Sequence, residues 1–430
     1  MPPLRSARNG SPPGEWRPVN RCGRAVVTVC LAIAVQDVYS VEADILVDPS
    51  ALPGQELAYA MAMDGVRVAT GSPGLDDRAG IAHVFDCPGL PCPSPIVLQP
   101  PDLAAGDLYG AAVAVDGDTV VVGAPGQVSG AVYVHLRDGD GWTQQARLTA
   151  VDGAPGDAFG MAVALEGNRL VIGAGAADDS AGAAYVFTRV GATWSQQAHL
   201  SADDAVAGDR FGASVALSGD TLLIGAPFDA AGPPDYARGS AHVYLAAGAA
   251  WTVQARLEAP LGANGELFGS ALALRDDRAV IAAPLASARR GAAHVFERIG
   301  AAWNHRQQIV ASDGLAGDRF GWSVALGDDV ALVGAPYWLE GCGTAYLYRP
   351  SGGVWTQTAE ASVAAPLPGN LLGWSVGVSG DRFGVGAPGF AGAPDHSGAV
   401  YWFGDTDAIF ASGFEATPGL LGEEGCIPKG

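Results

Sequence analysis

Small and apolar residues alternate in short runs along this chain, and turn residues cut off every run within a few positions. From Asp209 to Leu257 the sequence reads DRFGASVALSGDTLLIGAPFDAAGPPDYARGSAHVYLAAGAAWTVQARL. The alternation predicts four short strands here, over Phe211–Leu217, Thr221–Ile224, Ser240–Leu245 and Trp251–Leu257. The Ser218-Gly219-Asp220 turn separates the first two, and Gly225-Ala226-Pro227 ends the second. No window carries the apolar spacing of a long amphipathic helix.

The pattern recurs. The Phe211-Gly212 position is matched by Leu57-Ala58, Tyr109-Gly110, Phe159-Gly160, Phe268-Gly269, Phe320-Gly321 and Leu372-Gly373, with successive spacings of 52, 50, 52, 57, 52 and 52 residues. Fourteen residues after each start stands a Gly-Ala-Pro-like triplet, beginning at Gly71, Gly123, Gly173, Gly225, Ala282, Gly334 and Gly386. A fixed period near fifty with four strands per unit predicts an all-β fold, a seven-bladed β-propeller of four-stranded antiparallel blades. Four of the units place an apolar residue eleven before the next Phe position (Leu148, Leu200, Leu257, Ile309), and counting eleven back from Leu57 reaches Leu46. The last unit has no Trp-led fourth strand after Tyr401-Trp402-Phe403. Val41–Val47 is therefore expected to supply that strand and close the ring.

Each strand has a physical task in this scheme. The first is built of small residues, as the crowded position nearest the axis requires. The fourth places Trp142, Trp194, Trp251, Trp303 and Trp355 on one pleat face with the residue six further on. Each Trp, burying about 200 Å², would anchor its blade by up to roughly 5 kcal/mol. The first unit lacks this Trp, and Cys87 and Cys92 bracket the loop where it would stand, an expected disulfide that substitutes for it.

These repeats resemble FG-GAP repeats, the blades of the integrin α-subunit propeller and of many secreted bacterial proteins, over residues 40 to 404. The resemblance implies a binding or adhesion role and a ligand-meeting face formed by the loops from second to third and from fourth to first strands. It also raises calcium, because integrin-type blades carry a D-x-D-x-D-G loop between strands one and two. Here those hairpins are tight two-residue turns in all seven copies. The acidic residues lie instead in the fourth-to-first loops, at Asp152, Asp157, Asp203, Asp204, Asp209, Asp313 and Asp318. Their spacing favours turn-capping, with calcium at these loops as the alternative and no other cofactor expected.

Composition extends the picture outward. Residues 1–24 carry five arginines, and the apolar run from Ala25 to Val35 is too short to span a bilayer and suits a signal peptide over residues 1–34, with cleavage as late as residue 40. Its loss removes five arginines and one glutamate, taking the net charge from −21 to −25. Such a field repels nucleic acid and anionic membranes, and no later run is apolar enough to cross a membrane. Cys342 and Cys426 are a second candidate disulfide, joining the tail (residues 405–430) to the propeller (residues 41–404) in an oxidising compartment. Within that tail Ile409–Glu415 resembles an I-F-x-x-G-F-E segment that ends a number of secreted bacterial proteins, either an extra edge strand or an anchoring signal.

The candidate binding residues come from the variable second-to-third loops: Phe228, Asp229, Asp235, Tyr236, Tyr337, Trp338, Phe390, Asp395 and His396. Histidines give no catalytic constellation, since His83, His242 and His294 occupy a strand position that holds Tyr133, Tyr185, Tyr346 or Tyr401 elsewhere. The sequence thus points to a secreted or cell-envelope binding module, monomeric, for a protein or glycan, rather than an enzyme. A carboxylate-dependent polysaccharide hydrolase on the same face, or a structural envelope protein, are the alternatives.

Overall fold

The computed structural model describes residues 44–89, 92–230, 238–248, 250–260, 262–361, 367–390 and 397–403. The expected signal peptide and the tail, including Cys426 and Ile409–Glu415, lie outside the described residues. Seven four-stranded antiparallel sheets follow one another as the blades of a propeller. In blade four the strands are Ser214–Ser218, Thr221–Ala226, Ser240–Ala247 and Ala250–Leu257. Asp44–Leu46 pairs antiparallel with Ala399–Phe403 (Ile45 opposite Tyr401), so a strand from the start of the chain completes blade seven. The ring closes as the eleven-residue count requires.

The first strand starts later than the alternation suggests, at Ser214 rather than Phe211, because the Phe-Gly pair is committed to the neighbouring blade. The backbone amide at every Phe position donates to a carbonyl of the preceding blade: Leu57 to Ser397, Tyr109 to Ala79, Phe159 to Ser129, Phe211 to Ala181, Phe268 to Arg238, Phe320 to Arg290 and Leu372 to Cys342, all at 2.9–3.2 Å. The following glycine turns back, Gly212 at φ +86°, and donates to Gly225 of its own blade. The glycine of Gly-Ala-Pro completes the clamp. A Cβ on Gly123 would lie 2.0 Å from the Gly160 carbonyl oxygen of the next blade, and one on Gly225 would lie 2.1 Å from that of Gly269. The two halves of the repeat motif are the two sides of one interblade contact.

Below the clamp lies apolar packing, divided into seven layers between adjacent blades rather than gathered in one core. The layer closing the ring joins Leu46, Val400 and Trp402 to Leu57, Val68 and Phe85. On the far face the tight hairpins are stitched together. Asp64 accepts the Gly117 amide, Asp116 that of Gly167, Glu166 that of Gly219, Ser218 that of Asp276, and Ser379 that of Gly65.

The fourth strands correct one expectation. A β-bulge interrupts their pairing with the third strand in blades two to six, as between Val134 and His135. One extra residue reverses the alternation. Trp142 therefore packs toward blade one while Leu148, six residues on, packs toward blade three. Only Trp194 and Trp355 are fully buried; Trp142, Trp251 and Trp303 are half-buried and each is covered by an arginine guanidinium (Arg67, Arg169 and Arg298) at 5.1–5.4 Å. Blade one ends in the three-residue strand Ile96–Leu98, and its Cys87–Cys92 disulfide is formed, with Cys87 buried in the closing layer.

The clamp makes a direct prediction. Gly123→Ala should destabilise the protein by about 2–4 kcal/mol, as overpacking against backbone does. The reverse change in blade five, where the native residue is Ala282, should cost about 1 kcal/mol or less. Thermal unfolding of the two variants checks this, and equal midpoints would contradict it.

Candidate functional site

The loops from second to third and from fourth to first strands share one face. They run side by side: Gly106 and Leu108, entering blade two, donate to Asp77 and Arg78 of the blade-one loop. The residue before each Phe position is left-handed in all seven copies, from Glu56 (φ 55°) to Leu371 (φ 57°). That costs energy for a side chain with a Cβ, and the clamp on either side holds it in place. The carboxylates two before the Phe position cap their own turns. Asp107, Asp157, Asp209 and Asp318 each accept the amide three residues earlier, at 2.6–2.8 Å.

Further out on the loops a second set of carboxylates meets the sheet. Asp102 takes a hydrogen bond from the Tyr133 hydroxyl and lies 3.6 Å from Arg147; Asp152 lies 3.0 Å from His199; Asp204 lies 3.7 Å from Arg256. In blade six Asp313 accepts from Tyr346 (2.8 Å) and from the Trp338 indole (3.1 Å), but Glu360 stands where blades two to four carry Arg147, His199 and Arg256. Among the described residues, no three carboxylates, histidines or cysteines come together as a metal site would need.

The expected site residues fall into different surroundings. Phe228 is exposed beneath the Arg210 guanidinium, 4.9 Å from it. Asp229, read from the sequence as exposed, is only 6% exposed. It accepts from Ser240 and, at 2.8 Å, from Arg256, with His242 at 3.8 Å. Burial alone would raise its carboxyl; hydrogen bonds from His242, Ser240 and Arg256 outweigh this and hold it well below the usual carboxylate range. The loop folds inward because this acid is needed by the sheet. Ser240 is itself fully buried, so the Asp229-Ser240-His242 grouping is a packing element that no substrate reaches.

Tyr337 and Trp338 remain half-buried on the face, and Phe390 packs edge-on against Tyr401. Asp235, Tyr236, Asp395 and His396 lie outside the described residues. His83, His242 and His294 are buried, as replacements for a packing tyrosine should be. Cys342 is buried and is not a free thiol.

The sequence reading missed the most prominent group on this face. The residue after the Phe-Gly pair is small or flexible in blades two to five (Ala111, Met161, Ala213, Ser270) but aromatic in blades one, six and seven. Tyr59 and Trp374 lie 5.5 Å apart between ring centroids, Trp374 and Trp322 5.0 Å, and Trp322 and Tyr337 5.7 Å, an unbroken row across three adjacent blades. Arg319 lies over Tyr337 at 4.1 Å and over Trp322 at 5.4 Å. Burial, then the charge of Glu56, raises the Tyr59 phenol, so it stays neutral. The break from small to aromatic at one register position was the available signal.

A family model described as the FG-GAP repeat matches residues 97–135, 142–187, 194–244, 251–296 and 303–348, more than half of the chain. The chain belongs to the FG-GAP repeat family. Each matched unit starts in the fourth strand of one blade and ends in the third strand of the next, so an FG-GAP unit spans an interblade junction. No curated protein sequence matches the chain significantly. Among solved structures, a chain of the crystal structure of the mitotic checkpoint complex aligns with TM-score 0.56 at 12% identity, covering 94% of this chain and 99% of that one. The Saccharomyces cerevisiae protein Sqt1 aligns with TM-score 0.48 at 11% identity, covering 85% and 99%. The first likeness shows a shared fold and nothing more.

Blade six of this FG-GAP propeller differs chemically from its sisters. Burial, reinforced by Asp313, pushes the Glu360 carboxyl from its ordinary 4.5 up to about 7. The folded protein thus holds a proton that the unfolded chain releases above 4.5, and this stabilisation is lost as pH rises through about 7. Glu360→Gln should match the parent at pH 4.5 and unfold at a higher temperature than it at pH 8. Paired melting curves check the sign; a variant less stable at pH 8 would contradict it.

Proposed function

We propose that this FG-GAP propeller is a secreted or cell-envelope binding module that engages a protein or glycan ligand through the face built by its second-to-third and fourth-to-first loops. The observation that carries this reading is the row Tyr59, Trp374, Trp322 and Tyr337, part-exposed rings concentrated on three of seven blades. Aromatic rings at a surface are the side chains that carry binding energy, and here they replace small residues on an otherwise periodic scaffold. The Cys87–Cys92 bridge supports an oxidising compartment, and among the described residues no helix is long and apolar enough to cross a membrane. The acidic loop residues serve their own turns, which favours calcium-independent binding.

A second reading rests on Glu360 and Asp313. A carboxyl poised near neutrality beside a second carboxylate suits acid–base hydrolysis of a polysaccharide. Binding remains the better-supported reading, because Glu360 already accepts from Thr344 at 3.1 Å and is turned into the blade.

The full chain, immobilised and screened against glycan and extracellular-protein panels, should retain a ligand that Trp322→Ala and Trp374→Ala abolish. Asp138→Ala, on the opposite face, should leave binding intact, and so should a calcium chelator. Turnover of a bound polysaccharide that Glu360→Gln eliminates would favour the hydrolase. Binding lost with the far-face change but not with the tryptophan changes would contradict the assignment of the face.

A further inference from the structure

We infer that the aromatic row is a subsite for an acidic saccharide, with Arg319 receiving a sugar carboxylate and the rings receiving sugar faces. This rests on the binding-module reading and names the ligand class for the same face. Arg319 carries the argument. Most arginines of the sheets are paired with carboxylates, as Arg67 is with Asp86 and Arg298 with Asp277. Arg319 makes no ion pair among the described residues, and its guanidinium lies over the faces of Tyr337 and Trp322. Its backbone is held at φ 57°, with its amide bonded to Arg289. A guanidinium stacked on rings keeps its N–H fork in its own plane, free for bidentate contact with a carboxylate.

Arg210, at the same place in blade four, also lies over a ring (Phe228) without an ion pair, but Arg319 is the one that covers rings of the aromatic row. Glu56 and Arg78 both act on the Tyr59 phenol at the other end of the row, so the charge there is mixed and Arg319 marks the anion-seeking end. The rings are tilted against one another, at 46° for Tyr59–Trp374, 50° for Trp374–Trp322 and 75° for Trp322–Tyr337. Tyr337 also lies 6.5 Å from Trp374, so the three rings of blades six and seven form a compact platform of tilted faces with Tyr59 at its edge, a surface suited to the C–H face of a sugar ring. A peptide would bind best by adding a strand to a free sheet edge, and this face consists of loops and strand ends.

A trisaccharide bearing one galacturonate, titrated calorimetrically against the full chain beside its carboxyl-reduced neutral counterpart, tests the inference, since one carboxylate meets Arg319 without the repulsion that a net charge of −21 imposes on a polyanion. The acidic oligosaccharide should bind at least about ten-fold more tightly, as a charge-assisted fork allows. Trp374→Ala should weaken both sugars about ten-fold or more. Arg319→Gln, a surface change whose folding a melting curve verifies, should bring the acid-to-neutral ratio near one while neutral binding persists. Equal affinity for the two sugars, or an acid preference that survives Arg319→Gln, would overturn the inference. So would the absence of saccharide binding, or capture of a short peptide by its C-terminal carboxylate instead. Those last outcomes leave the binding-module reading standing, since its own test is whether panel binding is lost with the tryptophan changes or with the far-face change instead.

Discussion

One backbone hydrogen bond, repeated around the ring, holds the blades in register. At each junction the amide of the Phe position reaches the preceding blade, and at five of the seven a glycine on either side lets two main chains approach where a Cβ would not fit, Ala282 and Ala58 standing at the other two. A clamp of this kind explains the repeat more economically than any side-chain list. Phe-Gly and Gly-Ala-Pro recur fourteen residues apart because one blade's Gly-Ala-Pro receives the next blade's Phe-Gly. The stacked rings follow from it. The Phe position lies edge-on to the third-strand aromatic, as Phe159 does to Tyr185 and Phe211 to His242.

Because every junction is built the same way, each blade buries both of its faces and no single core exists. The fourth-strand bulge belongs to this economy. By reversing the alternation once, it lets Trp251 serve the junction behind and Leu257 the junction ahead. The chain's first strand repeats the logic at the ring's closure, where Leu46 enters the layer between blades seven and one. Beneath it Asp48, Gln55 and His83 form a buried hydrogen-bonded group that fastens this entering segment to blade one.

Much of this was legible in the residues. The period, the blade number and the closing strand follow from spacing alone, because the clamp recurs at a constant offset of fourteen with similar residue types at the junctions. The bulges were not legible, since Gln145 or Gln254 in a fourth strand carries no signature of an extra residue. Nor were the seven left-handed positions, which hold Glu, Leu, Ala or Arg rather than glycine and are set by the contacts around them. Asp229 looked exposed because it follows Pro227 in a variable loop. Ser240 and Arg256 drawing it inward is a tertiary fact. The aromatic row was hidden for the opposite reason: the first strands read as small-residue strands throughout, and the proximity of Trp322 and Trp374 to Tyr59 depends on the ring being closed.

Function on this scaffold is a matter of departure from the repeat. Positions that obey the period serve the junctions, and Trp322 and Trp374, which break it, stand part-exposed on the loop face. That division holds only if all seven junctions are equivalent and closed. Hydrogen exchange of the amides of Leu57, Tyr109, Phe159, Phe211, Phe268, Phe320 and Leu372 measures this directly. Uniform protection at the level of global unfolding is the expected result, and a Leu57 amide exchanging as freely as the surface turns would contradict the closed ring.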